Sequence, residues 1–254
     1  MEAAIAKAAT GGAVMYFAPE MSILLDRDRI RARAQLASES QTHVLIHFSE
    51  LALRHGIWLH LGSVPVIHES GEKLANRSIL ITPDGQVQAR YDKMHLFDIN
   101  LASGESWRES SAYIGGSSPV VAQTPLGLMG LAICYDMRFP DLFSVYAKSN
   151  VDIITLPSAF TVPTGEAHWH SLLRARAIES EAFVIAAAQC GLHEDGRKTF
   201  GHSLVVDPWG TVLLDMGEAP GLAFVDLDLN KIAEIRHQIP VHKNRRSIPP
   251  LVAE

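Results

Sequence analysis

The run "GLMGLAIC" ends in Cys134 and then breaks into "YDMRFPD". A thiol at the carboxyl end of a buried strand stands where α/β sheets bind ligands. It becomes a nucleophile when a base or a cation supports the thiolate. By residue type alone Cys134 is equally a small core filler, so the reading turns on its partners. Glu20 directly follows the apolar stretch "AVMYFAP", where a carboxylate meets a desolvation penalty. Lys93 follows "VQARYD", and Glu109 lies in a polar, glycine-containing stretch. Each has an ordinary alternative: Glu20 as a helix cap or surface carboxylate, Lys93 as a solvated strand end, Glu109 as a solvated charge.

The elements that must position these residues follow from pattern and punctuation. "MEAAIAKAAT" reads as a helix stopped by Gly11 and Gly12, and "AVMYFAPE" as a short strand. Residues 27–56 form a helical zone closed by Gly56. "IWLHLGSVPVIH" is a strand, and residues 75–93 are two strands around the turn Pro83-Asp84-Gly85. Residues 94–118 read as a long loop, and loops of that length are often functional. Two strands then lead to Cys134. Helices at 139–150 and 167–182 alternate with the strands "VDIITLPSAF" and "FVIAAAQCG". A hairpin follows around Asp207-Pro208-Trp209-Gly210, and 221–240 closes with a strand and a helix. Continuous apolar strands between helices indicate layered α/β architecture with sheet faces buried on both sides. No repeat or low-complexity linker divides the chain, so residues 1–254 read as one domain.

The 254 residues carry a net charge of −6, which argues against nucleic acid or an anionic membrane surface as partner. Two cysteines, Cys134 and Cys190, make no disulfide framework and fit a reducing, cytoplasmic setting. No secretory signal and no run of membrane-spanning length is visible.

"YFAPE", "YDKMHLFD" and "GLAICYDMRFPD", in this order, resemble the nitrilase superfamily of carbon-nitrogen hydrolases. "LPSAFTVPTGEAHWHSLLRARAIESEAFVIAAAQCG" and "GHSLVVDPWGTVL" extend the likeness over nearly the whole chain. They are most similar to the Nit branch, which includes amidases of deaminated glutathione. The resemblance implies an αββα sandwich and a Glu-Lys-Cys set carried by Glu20, Lys93 and Cys134. It implies a second glutamate, matched best by Glu109, with Glu105 as the rival. Against the family pattern, Met1 falls inside the first helix, so the usual first strand has no counterpart.

The implied reaction is hydrolysis of a small carboxylic amide through a cysteine thioester, releasing ammonia, with no cofactor and no metal. Glu20 is the expected base. Lys93 and the backbone N–H of Tyr135 are the expected oxyanion donors. Arg138, four residues past the nucleophile, is the candidate for a substrate carboxylate, or it braces the turn against Asp136 or Asp141. A homodimer or higher homo-oligomer, stacking two sandwiches, is also implied. Alternatives are an ω-amidase, carbamoylase or nitrilase activity, a cysteine-histidine hydrolase, or a non-catalytic nitrilase-like binding protein. His168 and His170 flank Trp169 at a spacing that points them apart on a helix, so a zinc pair is not expected there. Cys190 reads as a packed thiol.

Overall fold

In the computed structural model, residues 1–36, 39, 43–102 and 104–252 are described. The first sheet holds β1 (Met15–Phe17), β2 (Trp58–His60), β3 (Val64–Ile67), β4 (Leu74–Ile81) and β5 (Val87–Asp92). A small hairpin, β6 (Asp98–Asn100) with β7 (Ser106–Arg108), follows within the expected long loop. The second sheet contains β8 (Val120–Thr124), β9 (Gly127–Leu131), β10 (Ile153–Thr155) and β11 (Phe183–Ala186). The pair β12 (Cys190–Leu192) and β13 (Lys198–Phe200) stands apart, and β14 (Leu204–Val206) and β15 (Val212–Asp215) complete the second sheet.

The helices are α1 (Glu2–Thr10), α2 (Arg29–Ala34), α3 (His43–His55), α4 (Pro140–Lys148), α5 (Val162–Ser180), α6 (Asn230–Gln238) and α7 (Val241–Asn244). In the first sheet β4 is the hub. It pairs antiparallel with β2 and β3 along one edge and with β5 along the other, while β1 runs parallel to β2. The second sheet runs in the order β15-β14-β11-β10-β9-β8, with β9, β10 and β11 parallel.

Strand alternation sorts the layers. Met15 and Leu80 point into the core shared with the second sheet, while Tyr16, Ile79 and Ile81 face Ile5 of α1 and Leu51 of α3. On the far side, Phe143 and Tyr146 of α4 and Trp169 and Leu173 of α5 pack on β9 to β11. The order helix, sheet, sheet, helix is the expected αββα sandwich.

Three element assignments change. The helical zone at 27–56 is two helices, α2 and α3; residues 37, 38 and 40–42 within it lie outside the described residues. "IWLHLGSVPVIH" is two strands broken at Gly62, whose φ is +67° and where a Cβ would fall 1.9 Å from the Pro19 carbonyl oxygen. Only glycine fits that approach. Residues 221–229 alternate like a strand but none is assigned. A strand needs a ladder partner as well as a pattern, and this segment has none among the described residues.

Candidate active site

Cys134 ends the β9 run and opens a 3₁₀ turn, Cys134–Arg138. Its φ is +46°, a left-handed conformation disfavoured for a non-glycine residue. The turn is over-determined, which is how such strain persists at functional sites. The Cys134 amide donates to the Pro157 carbonyl at 3.0 Å. Buried Asp136 accepts from the Ile133 amide at 2.9 Å, the Tyr91 hydroxyl at 2.7 Å, and the His95 amide and Nδ1 at 3.0 and 2.8 Å. Tyr135, second in the turn, has an N–H with no acceptor within it.

Lys93 follows β5 and is 2 % exposed. Register explains its direction. Arg77 and Asp92 oppose each other across β4 and β5 and form a two-pronged ion pair at 2.7 and 2.8 Å. Their neighbours Asn76 and Lys93 therefore face the other side, into the sandwich. The Lys93 amide donates to the Asn76 carbonyl at 2.9 Å. A Cβ on Gly116 would fall 2.1 Å from the Asp92 carbonyl oxygen, so the chain can close over this strand end only with glycine there.

Glu20 is carried on the bend after β1, which is pinned to the Gly62 turn: Met21 N–H donates to Ser63 Oγ at 3.1 Å. Gln189 Nε2 donates to the Glu20 carbonyl at 3.0 Å. The carboxylate is 4 % exposed and fully engaged. Oε1 accepts from Lys93 Nζ at 3.0 Å and Asn76 Nδ2 at 2.9 Å, and Oε2 accepts from the Ala159 amide at 2.8 Å. Glu109 opens a 3₁₀ turn after β7 and receives Lys93 Nζ on both oxygens, at 3.2 and 2.9 Å. Its Oε2 also accepts from the Phe97 amide at 2.6 Å. Glu105 is spent elsewhere, accepting from Trp107 Nε1 at 2.7 Å. Geometry therefore favours Glu109 over Glu105.

One ammonium between two carboxylates leaves this cluster one negative charge in excess. The Cys134 thiol is pushed well above its ordinary value, first by burial and then by Glu20, with Lys93 opposing. Burial alone would depress Lys93. Glu109, Glu20 and Cys134 reverse that and hold it well above the usual lysine range. Both shifts favour the neutral thiol beside the lysine cation, and a thiol needs a proton acceptor before its sulfur can attack.

Glu20, Lys93, Glu109 and Cys134 line one cavity of about 250 Å³. Among the residues named from sequence, Tyr135 and Arg138 do not line it with them. Arg138 lies over the Phe160 and Tyr135 rings, at 5.4 and 5.9 Å, and contacts His168 Nδ1 at 3.3 Å. It forms no ion pair with Asp136 or Asp141 among the described residues, so the expected brace of the turn is absent. Asp136 is instead engaged by Ile133, Tyr91 and His95.

The cavity also presents side chains that sequence reading passed over, Arg27, Trp107 and Arg197, and Asn76, also passed over, donates to Glu20 from outside its lining. The guanidinium groups of Arg27 and Arg197 lie over the Trp107 ring at 4.8 and 4.7 Å. Arg197 pairs with Asp195 at 3.4 Å, yet its buried Nε has no partner among the described residues. Burial pulls its guanidinium below the ordinary arginine value. That Asn76 faces inward and Arg77 outward follows from the register of β4 against β5. The meeting of Arg27 and Arg197 around Trp107 depends on tertiary folding alone.

A family model described as carbon-nitrogen hydrolase matches residues 1–237. Deaminated glutathione amidase of Bos taurus is 43 % identical over 251 residues, which cover 95 % of this chain and 75 % of that protein. The C. elegans NitFhit protein superposes with a TM-score of 0.87 at 35 % identity, covering 96 % of this chain and 60 % of that one. A variant of the amidase from Nesterenkonia sp. AN1, with acrylamide added at its active-site cysteine, gives 0.76 at 27 % identity over 96 % of this chain and 90 % of that one. The chain belongs to the carbon-nitrogen hydrolase family of the nitrilase superfamily, hydrolases of carbon–nitrogen bonds other than peptide bonds.

Proposed function

We propose that this protein hydrolyses an amide bond of a short acid through a thioester on Cys134. Glu20 takes the thiol proton while sulfur bonds to the amide carbon. The oxyanion is received by the Lys93 ammonium and the Tyr135 N–H. Glu20 returns the proton to nitrogen, the carbon–nitrogen bond breaks, and the amine leaves, as ammonia where the amide is primary. Water then attacks the thioester as Glu20 takes its proton. The carbon–sulfur bond breaks, the thiol is restored, and the free acid departs. Glu109 holds Lys93 in place. The observation that carries this reading is the contact of Lys93 with both Glu20 and Glu109 in the cavity that buried Cys134 also lines.

The substrate class follows from the cavity and the relatives. The relatives are named deaminated glutathione amidase, for a substrate that carries carboxylates, and Arg197 offers a buried, unused N–H to such a group. We assign acid recognition to Arg197 and Arg27 in place of Arg138. Hydrolysis, followed as amine release from deaminated glutathione and as ammonia release from primary amides, should favour deaminated glutathione over neutral aliphatic amides of similar length. Arg197→Gln should raise KM for the acidic substrate at least about tenfold and spare the neutral ones. Equal losses on both classes would remove Arg197 from acid recognition. A wild-type preference for neutral amides would remove the substrate class.

A cytoplasmic homodimer belongs to the same reading. Val145 on α4 and Ile178 on α5 are 42 % and 48 % exposed on the outer helical layer, a face that a second copy would cover. Sedimentation analysis of the wild type and of Ile178→Glu tests it.

A further inference from the structure

Outside the cavity, three metal-ligating side chains from separate parts of the chain converge. His170 lies on α5, His202 lies between β13 and β14, and Asp215 ends β15. Their ligand atoms all lie within 4.8 Å of one another. His170 Nε2 is 2.9 Å from Asp215 Oδ2, and His202 Nδ1 is 2.8 Å from Asp215 Oδ1. We infer that His170, His202 and Asp215 form a binding site for a zinc-class divalent cation, a clip fastening α5 to the β13–β15 region.

The donor set fits the ion. Two imidazoles and one carboxylate are a recurrent three-residue zinc set that leaves a fourth position for water. Tetrahedral bonds of about 2.0–2.1 Å require donors roughly 3.3 Å apart. The imidazole–carboxylate contacts thus need to open by about 0.4–0.5 Å, and ligand atoms as much as 4.8 Å apart need to close by about 1.5 Å through side-chain rotation. The side chains of His170, His202 and Asp215 are 40 %, 20 % and 32 % exposed, so an ion and its water can enter.

The surroundings hold the donors in place. The His202 ring stacks on Phe200, with centroids 4.4 Å apart, and meets the His170 ring edge-on at 5.3 Å. The His202 carbonyl accepts from buried Trp169 Nε1 at 2.8 Å, tying it to the residue beside His170. Asp215 Oδ1 accepts from the Gly217 amide at 2.9 Å. Support of this kind orients ligands and strengthens metal binding. The hydrogen-bonded triad is also stable without metal, so the alternative is a brace held by two imidazole–carboxylate contacts.

Zinc(II) titration of the full-length, tag-free, metal-stripped protein separates the two. One saturable equivalent per chain is expected. Cobalt(II) should give the visible bands of a nitrogen and oxygen site without the charge-transfer band of a thiolate, which excludes capture by Cys134 or Cys190. His170→Gln and His202→Gln should each weaken zinc binding at least about tenfold, while His168→Gln should not. Zinc should raise the melting temperature of the wild type but not of Asp215→Asn. Absence of saturable binding to the wild type overturns the site whatever the variants do. A thiolate band, or affinity unchanged in a folded His170→Gln or His202→Gln, overturns it equally.

Discussion

Asp136, two residues past Cys134, holds His95, two residues past Lys93, by both its amide and its ring Nδ1, at 3.0 and 2.8 Å. The same carboxylate takes the Tyr91 hydroxyl, so one buried acid fixes the nucleophile turn against the strand end bearing the lysine. The two sheets of the sandwich are thereby registered at the site. Asp136→Asn replaces an acceptor-only group with one that must present N–H to these donors. It should lower kcat at least about tenfold with a smaller change in KM, because a small misplacement of reacting groups is expensive in rate. The labelling rate of Cys134 should change with it. A loss confined to thermal stability would mark Asp136 as structural only.

Lys93 is the one cation between Glu20 and Glu109. Lys93→Met keeps the length and removes the charge, leaving two buried carboxylates facing each other. Breaking a buried ion pair from one side destabilises by about 3–5 kcal/mol, so the variant should melt lower. The acylation rate should fall about a hundredfold or more. Glu109→Gln keeps the acceptor oxygen and should fall less, while Glu105→Gln should be nearly silent. An unchanged kcat with a raised KM in Lys93→Met would reassign the lysine to substrate binding.

The fold was legible in its apolar strands, whereas Glu20, Lys93 and Cys134 at strand ends each had an ordinary alternative and were grouped only by the family resemblance. Glu109 was distinguishable from Glu105 only by resemblance, since a polar loop has no period to fix direction. Asn76 was concealed in an apparently ordinary strand, and its role appears only when β4 is registered against β5. Arg138 was a candidate only through its nearness to the nucleophile, with bracing of the turn as the alternative, and its guanidinium lies over Phe160. Arg197 reaches the cavity from more than sixty residues downstream of Cys134.

His60 provides a pH signature independent of catalysis. It is 1 % exposed on β2; Nδ1 accepts from the Gly62 amide at 3.2 Å, and Nε2 faces Ser78 Oγ at 3.0 Å. These partners fit the neutral ring with its proton on Nε2. Burial lowers its pKa from 6.5 to about 3. The unfolded chain therefore binds the extra proton between those values, and stability falls as pH drops from 6.5 toward 3. Between pH 7 and pH 4 this one group should remove about 3 kcal/mol. Denaturant unfolding at both pH values should show a smaller difference for His60→Gln. An equal difference would place the acid sensitivity elsewhere.

Cys134 is 6 % exposed and held in a left-handed conformation by contacts that do not involve its sulfur. Removing the sulfur should therefore leave the turn intact, since Asp136 and the Pro157 carbonyl still fix the backbone. Cys134→Ala should change unfolding free energy by no more than about 1–2 kcal/mol, the range of small buried truncations. Turnover should fall to background. Intact-mass analysis of the wild type with a slow amide should show an acyl adduct equal to substrate less ammonia, and the alanine variant should show none. Cys190→Ala should retain both activity and adduct, because Cys190 does not line the site cavity. Turnover surviving in Cys134→Ala, or an adduct mapped to Cys190, would end the assignment of Cys134 as the nucleophile.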